Sequence, residues 1–135
     1  MGVDEPRRIL LIDPSRPCRY LYRELLKGYG IYLQCLDCYD EALELLSREH
    51  FHLIMGEIMV AGMTGYDFAR VMRESPGKFP PFVAVSARAM KNEIARAYEA
   101  GIDMYVTKPV DIEAFTALIL DKLDIDPGTG GFATP

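Results

Sequence analysis

Four short apolar runs each end on one polar residue: Asp13 follows residues 9–12, Glu57 follows 53–56, Ser86 follows 82–85 and Lys108 follows 104–107. An acid, a second acid, a hydroxyl and an ammonium brought together make a site for charged ligands, in which carboxylates hold cations and the ammonium holds anions. They converge if the runs are parallel strands, because such strands place their carboxyl ends along one sheet edge, beside the crevice where ligands bind.

The remaining sequence supplies the elements that position them. Residues 9–12 are apolar throughout, as suits a central parallel strand buried on both faces. Ser15 caps a helix with Pro17 in its first turn and Leu21, Leu25 and Leu26 as its buried stripe, ended by Gly28 or Gly30. Residues 31–36 read as a second strand, 40–49 as a helix turning Ala42, Leu43, Leu45 and Leu46 inward, and 53–58 as a third strand. Residues 59–65 hold two glycines and no helical period, which predicts a loop over the carboxyl edge. A helix over 66–74, with Phe68, Ala69, Val71 and Met72 apolar, precedes a fourth strand at 82–85. A fourth helix near 90–100 stops at Gly101, 104–107 is the last strand, and Asp111 caps a helix reaching Leu123. Residues 124–135 are rich in Gly, Pro and Thr and read as a flexible tail or the start of a linker. Strict alternation of strand and helix implies an α/β three-layer sandwich, a doubly wound parallel sheet covered on both faces.

The 135 residues suffice for one domain with a substantial core, and the even spread of hydrophobic and charged residues is that of a globular protein. No apolar stretch approaches the roughly 20 residues of a membrane helix, and the start lacks an apolar signal core, so no membrane association and a cytoplasmic location are expected. A net charge of −5 argues against a nucleic-acid surface. One basic stripe, Arg16, Arg19, Arg23 and Lys27, follows helical spacing and is expected on a solvent face, either plain surface or a docking patch for an acidic partner. Three cysteines give no disulfide framework. Cys35 and Cys38 match a C-x-x-C spacing, but Cys35 falls inside the second strand, away from the helix N-terminus that activates a redox thiol. Zinc lacks its remaining ligands, since His50 and His52 lie well outside that turn, so the cysteines read as packed or incidental.

Residues 9–13 read Ile-Leu-Leu-Ile-Asp, 57–65 Glu-Ile-Met-Val-Ala-Gly-Met-Thr-Gly, 85–87 Val-Ser-Ala and 105–109 Tyr-Val-Thr-Lys-Pro. In this order, at these strand ends, the motifs resemble a response-regulator receiver domain of the chemotaxis type, over about residues 7–123. The resemblance implies a flavodoxin-like (βα)5 sheet of order 2-1-3-4-5 and a non-enzymatic module of two-component phosphorelay signalling that accepts a phosphoryl group from a histidine kinase. It also implies roles. Glu57 stands at the phosphoacceptor position, and Asp13 in the acidic pocket that holds Mg²⁺ together with residue 57 and the backbone carbonyl of Met59. Lys108 contacts a phosphoryl oxygen, with a cis peptide to Pro109. Ser86 and Tyr105 form the switch, the aromatic following the hydroxyl inward and reshaping the face of the fourth helix, fifth strand and fifth helix. Partners implied are a histidine kinase, a phosphotransfer protein or an output domain, met through the first helix or that face, or a second copy in a homodimer.

Two residues depart from the pattern. The phosphoacceptor aspartate is replaced by Glu57, whose extra methylene carries the carboxylate about an ångström further, a displacement that can cost about a hundredfold in rate. The second acid of the pocket is Pro14, which leaves Mg²⁺ weakly bound or absent. The chain is thus expected to be a pseudo-receiver acting by protein–protein interaction. Glu57 either stands permanently in part of the space and charge of a phosphoaspartate, pairing with Lys108 and Ser86, or it merely inactivates a docking scaffold. The alternative is a receiver that is still phosphorylated with Mg²⁺. An aspartyl-phosphate phosphohydrolase of the haloacid-dehalogenase type needs a second aspartate where Ser15 stands, and a flavin or nucleotide binder lacks its glycine-rich phosphate loop.

Overall fold

The computed structural model describes residues 5–129. Five strands, β1 (Arg7–Ile12), β2 (Ile31–Leu36), β3 (Leu53–Gly56), β4 (Phe82–Ser86) and β5 (Met104–Thr107), form one parallel sheet in the order β2-β1-β3-β4-β5. Five helices alternate with them: α1 (Arg16–Leu25), α2 (Tyr39–Leu46), α3 (Gly65–Glu74), α4 (Lys91–Ala100) and α5 (Ile112–Lys122). This is the three-layer arrangement expected from the alternation, in the flavodoxin-like strand order that the resemblance implied.

Alternate residues of each central strand serve opposite layers. Ile9 and Leu11 of β1, Leu53 and Met55 of β3, and Val83 and Val85 of β4 pack with Tyr22, Leu25 and Leu26 of α1 and Phe115 and Ile119 of α5. Leu10, Ile12, Ile54, Phe82 and Ala84 face the other way, onto Ala42 and Leu45 of α2, Phe68, Ala69 and Met72 of α3, and Ala97 and Ala100 of α4. Each large aliphatic side chain buried in this way contributes about 1.5–3 kcal/mol. A single-residue register slip would turn both sets out of their layers.

The helix signals are where the sequence placed them. The Ser15 and Asp111 side chains accept N–H bonds at the starts of α1 and α5, Pro17 lies in the first turn of α1, and Gly101 ends α4 at φ 109°, in the left-handed region. Thr64 and Asp67 add a reciprocal capping box to α3.

Several expectations are corrected. Leu21 is exposed and Tyr22, 1% exposed, takes its place in the α1 stripe. α2 begins at Tyr39 and ends at Leu46, with Tyr39 fully buried. β3 stops at Gly56, where its pairing with β4 ends, so Glu57 and Ile58 lie beyond the strand, and Gly65 opens α3 where the sequence suggested loop. After α5, Ile125 packs on the α1/α5 layer and Pro127–Thr129 forms a 3-10 turn, while residues 130–135 of the expected tail lie outside the described residues. Among the described residues no helix is long and apolar enough to cross a membrane.

Candidate functional site

Each candidate residue sits at or one step past a strand end, with its backbone still laddered. Asp13 N–H donates to the Leu36 carbonyl at 3.1 Å, Glu57 N–H to Ile12 at 2.9 Å and Lys108 N–H to Ser86 at 2.9 Å. Four sequence-distant residues therefore share one edge with little freedom. Asp13 and Ser86 are each 1% exposed, the buried polar residues among the described residues.

The centre is an ion cluster. Lys108 Nζ donates to Glu57 Oε1 at 2.9 Å and to Asp13 Oδ2 at 3.3 Å. The other oxygens are held by backbone amides: Ser15 N–H donates to Asp13 Oδ1 at 2.9 Å, and Ile58 and Met59 N–H donate to Glu57 Oε2 at 2.7 and 3.3 Å. Lys108–Pro109 is cis.

Burial works against ionising Glu57, but hydrogen bonds from Ser86 and Lys108, the Lys108 charge and the Met59 amide outweigh it and hold the carboxyl below its ordinary range. For Lys108 burial likewise opposes the charge, yet the hydrogen bond to Glu57 and the neighbouring acids push its pKa above that of an ordinary lysine. Both partners are thus charged at neutral pH.

Ser86 lies close enough to both Glu57 and Tyr105 to favour the charged form of each, and its oxygen accepts the Arg88 N–H at 3.3 Å. Tyr105 is half-buried, packs against the layer of α2, α3 and α4, and donates its hydroxyl to the Arg88 carbonyl, so it is tied to the loop entering α4. Burial raises its pKa.

Both carboxylates share one ammonium, and Pro14, which follows Asp13, is exposed. Among the described residues no three Asp, Glu, His or Cys groups converge in a metal-binding arrangement. Met59, whose carbonyl was a candidate ligand, presents its N–H to Glu57 and exposes its side chain.

Other candidates fall elsewhere. Arg19 leaves the basic stripe: its guanidinium donates to the Asp13 carbonyl at 2.6 Å and pairs with Asp37 at 3.0 Å, while Arg16, Arg23 and Lys27 remain exposed. Arg23 reaches Cys35 Sγ at 3.2 Å. Cys35 and Cys38 pack against opposite layers and both are free, with burial raising the Cys35 pKa.

Sequence reasoning missed Tyr39. Its hydroxyl donates to the Glu57 carbonyl at 2.6 Å, and burial, followed by the Glu57 and Asp13 charges, raises its pKa well above the ordinary value and keeps it a donor. The available signal was Gly56, an isolated glycine in an apolar strand, which often marks the close approach of another group.

A family model for the response regulator receiver domain matches residues 9–120. Probable transcriptional regulator ycf29 of Cyanophora paradoxa is 27% identical over 112 residues, which are 82% of this chain and 53% of that protein. Sensor histidine kinase GacS of Pseudomonas protegens is 30% identical over 117 residues, 84% of this chain but 13% of its own length, so the chain spans only part of these relatives. The receiver domain of sensor histidine kinase PA1611 from Pseudomonas aeruginosa, solved with magnesium coordinated in its active-site cleft, superposes with a TM-score of 0.78 at 18% identity, covering 88% of this chain and 98% of that one.

Proposed function

The chain belongs to the response regulator receiver family, and from that premise we propose that it is a pseudo-receiver of two-component signalling, with Glu57 in the phosphoacceptor place, that acts through protein contact. The observation that carries this reading is the Lys108 ammonium, 2.9 Å from Glu57 and 3.3 Å from Asp13. An internal cation already pairs with both carboxylates and offsets one of their two charges. The site is then set, not switched. Ser86, close to both Glu57 and Tyr105, and Tyr105, anchored to the α4 entry loop, support a state in which the output face is held in one form.

A divalent cation would have to displace Lys108 and find a third ligand where Pro14 stands, so Mg²⁺ binding is weak or absent. The partner is a histidine kinase, a phosphotransfer protein, an output domain or a second copy, met at α1 or at the face of α4, β5 and α5, in the cytoplasm. That such domains lie within histidine kinases such as GacS supports the first of these.

Intact-mass measurement after incubation with acetyl phosphate and Mg²⁺ tests the reading. An unchanged mass is expected. A stable gain of one phosphate sinks it and restores the phosphorylated receiver as the working function.

A further inference from the structure

We propose that Tyr39 is a positioning residue for the cluster of Glu57, Lys108 and Asp13: its hydroxyl, lodged in space that Gly56 leaves empty, fixes the peptide that holds the Glu57 carboxylate. The inference deepens the set-site reading and rests on it.

The 57–58 peptide is one rigid plane. On one side its carbonyl accepts the Tyr39 hydroxyl at 2.6 Å, and on the other its Ile58 N–H donates to Glu57 Oε2 at 2.7 Å. Glu57 lies past the end of β3 pairing at Gly56–Ala84, so its carbonyl takes its partner from a side chain instead of a strand. Turning that plane would swing the amide away from the carboxylate and release Oε1 from its place before Lys108.

The tyrosine is closely packed on all sides. It is fully buried, with ring centroids 4.7 Å from Phe68 and 6.1 Å from Phe82. A Cβ on Gly56 would stand 2.1 Å from its hydroxyl oxygen and 3.0 Å from the ring carbon that bears it. A Cβ on Gly65 would stand 3.1 Å from Ile58 Cα and Cδ1 and 3.3 Å from the same oxygen. Neither glycine is among the positive-φ residues, so space, not backbone freedom, explains both. Tyr39 and Gly56 thus tie the start of α2 to the β3 end beneath the ion cluster, while Gly65 at the start of α3 packs on Ile58 and donates its N–H to the Ile58 carbonyl at 2.8 Å.

The test compares the wild-type chain with Tyr39→Phe by NMR. In the wild type, the Lys108 ammonium, the Ile58 amide and the Tyr39 hydroxyl should all exchange slowly with water. In Tyr39→Phe, slow exchange should be lost at Lys108 and Ile58 while core amides such as Met55 keep theirs, a selective loss that general destabilisation does not give. A wild-type Lys108 ammonium in free exchange overturns the set-site reading itself. With that signal present, unchanged Lys108 and Ile58 in the variant overturn only the positioning role. A freely exchanging wild-type Tyr39 hydroxyl overturns that role without any variant, which covers a Tyr39→Phe chain that does not fold.

Discussion

At the scale of single residues, Glu57 and Lys108 hold each other charged, and this fixes a pH window. The folded Glu57 carboxyl lies below its ordinary value of 4.5, so its stabilisation is present above that value and is lost as pH falls through the lowered one. The folded Lys108 lies above its ordinary 10.5, so its stabilisation is present below that value and is lost as pH rises through the raised one. Lys108→Met should therefore destabilise the chain most between these limits, by about 2 kcal/mol, less than a fully buried pair because the lysine keeps some water contact. Denaturation of both forms at pH 7 and near pH 3 checks this; an equal gap at the two pH values would contradict it. The four strand-end residues were legible because each is a polar stop on an apolar run. Tyr39 was not, since a tyrosine beside a helix start passes for core or surface and its partner is a main-chain carbonyl without a sequence signature.

At the scale of elements, what was legible was chemistry that acts locally. Ser15, Pro17, Gly101 and Asp111 mark helix ends by their own hydrogen bonds or backbone angles, and all four are where they were expected. What was not legible depends on neighbours. The apolar run through Ile58 reads as strand, yet β3 ends where β4 stops pairing with it, and Leu21 matches a helical period whose phase in the folded chain buries Tyr22 instead. The α2–β3 fit is such a neighbour effect. Gly56→Ala should cost about 1–3 kcal/mol by overpacking in the wild-type background, and markedly less in Tyr39→Leu, which removes the obstructing hydroxyl. A double-mutant cycle by urea denaturation measures the coupling; additive costs would show that the two residues do not share the space.

At the scale of the whole molecule, the parallel sheet gathers the polar stops at one edge, and the proposed partner surface lies on the helices and β5. Tyr105 joins the two, through Ser86 on the inside and the α4 entry loop on the outside. Tyr105→Ala should shift the sedimentation profile or the retention of a histidine-kinase partner while the circular dichroism stays that of the wild type; unchanged assembly and binding would take the output face away from this residue. The order β2-β1-β3-β4-β5 also has a consequence in time. The Lys108 bridges close separations of 51 and 95 residues, so they form only once the last strand has docked on a sheet whose earlier pairings are more local. Contacts absent from the folding transition state slow unfolding and leave the folding rate alone. In stopped-flow measurements Lys108→Met should therefore raise the unfolding limb and leave the refolding limb in place. The bridge across the strand ends acts as a latch: it sets how long the native chain persists, not how quickly it is reached.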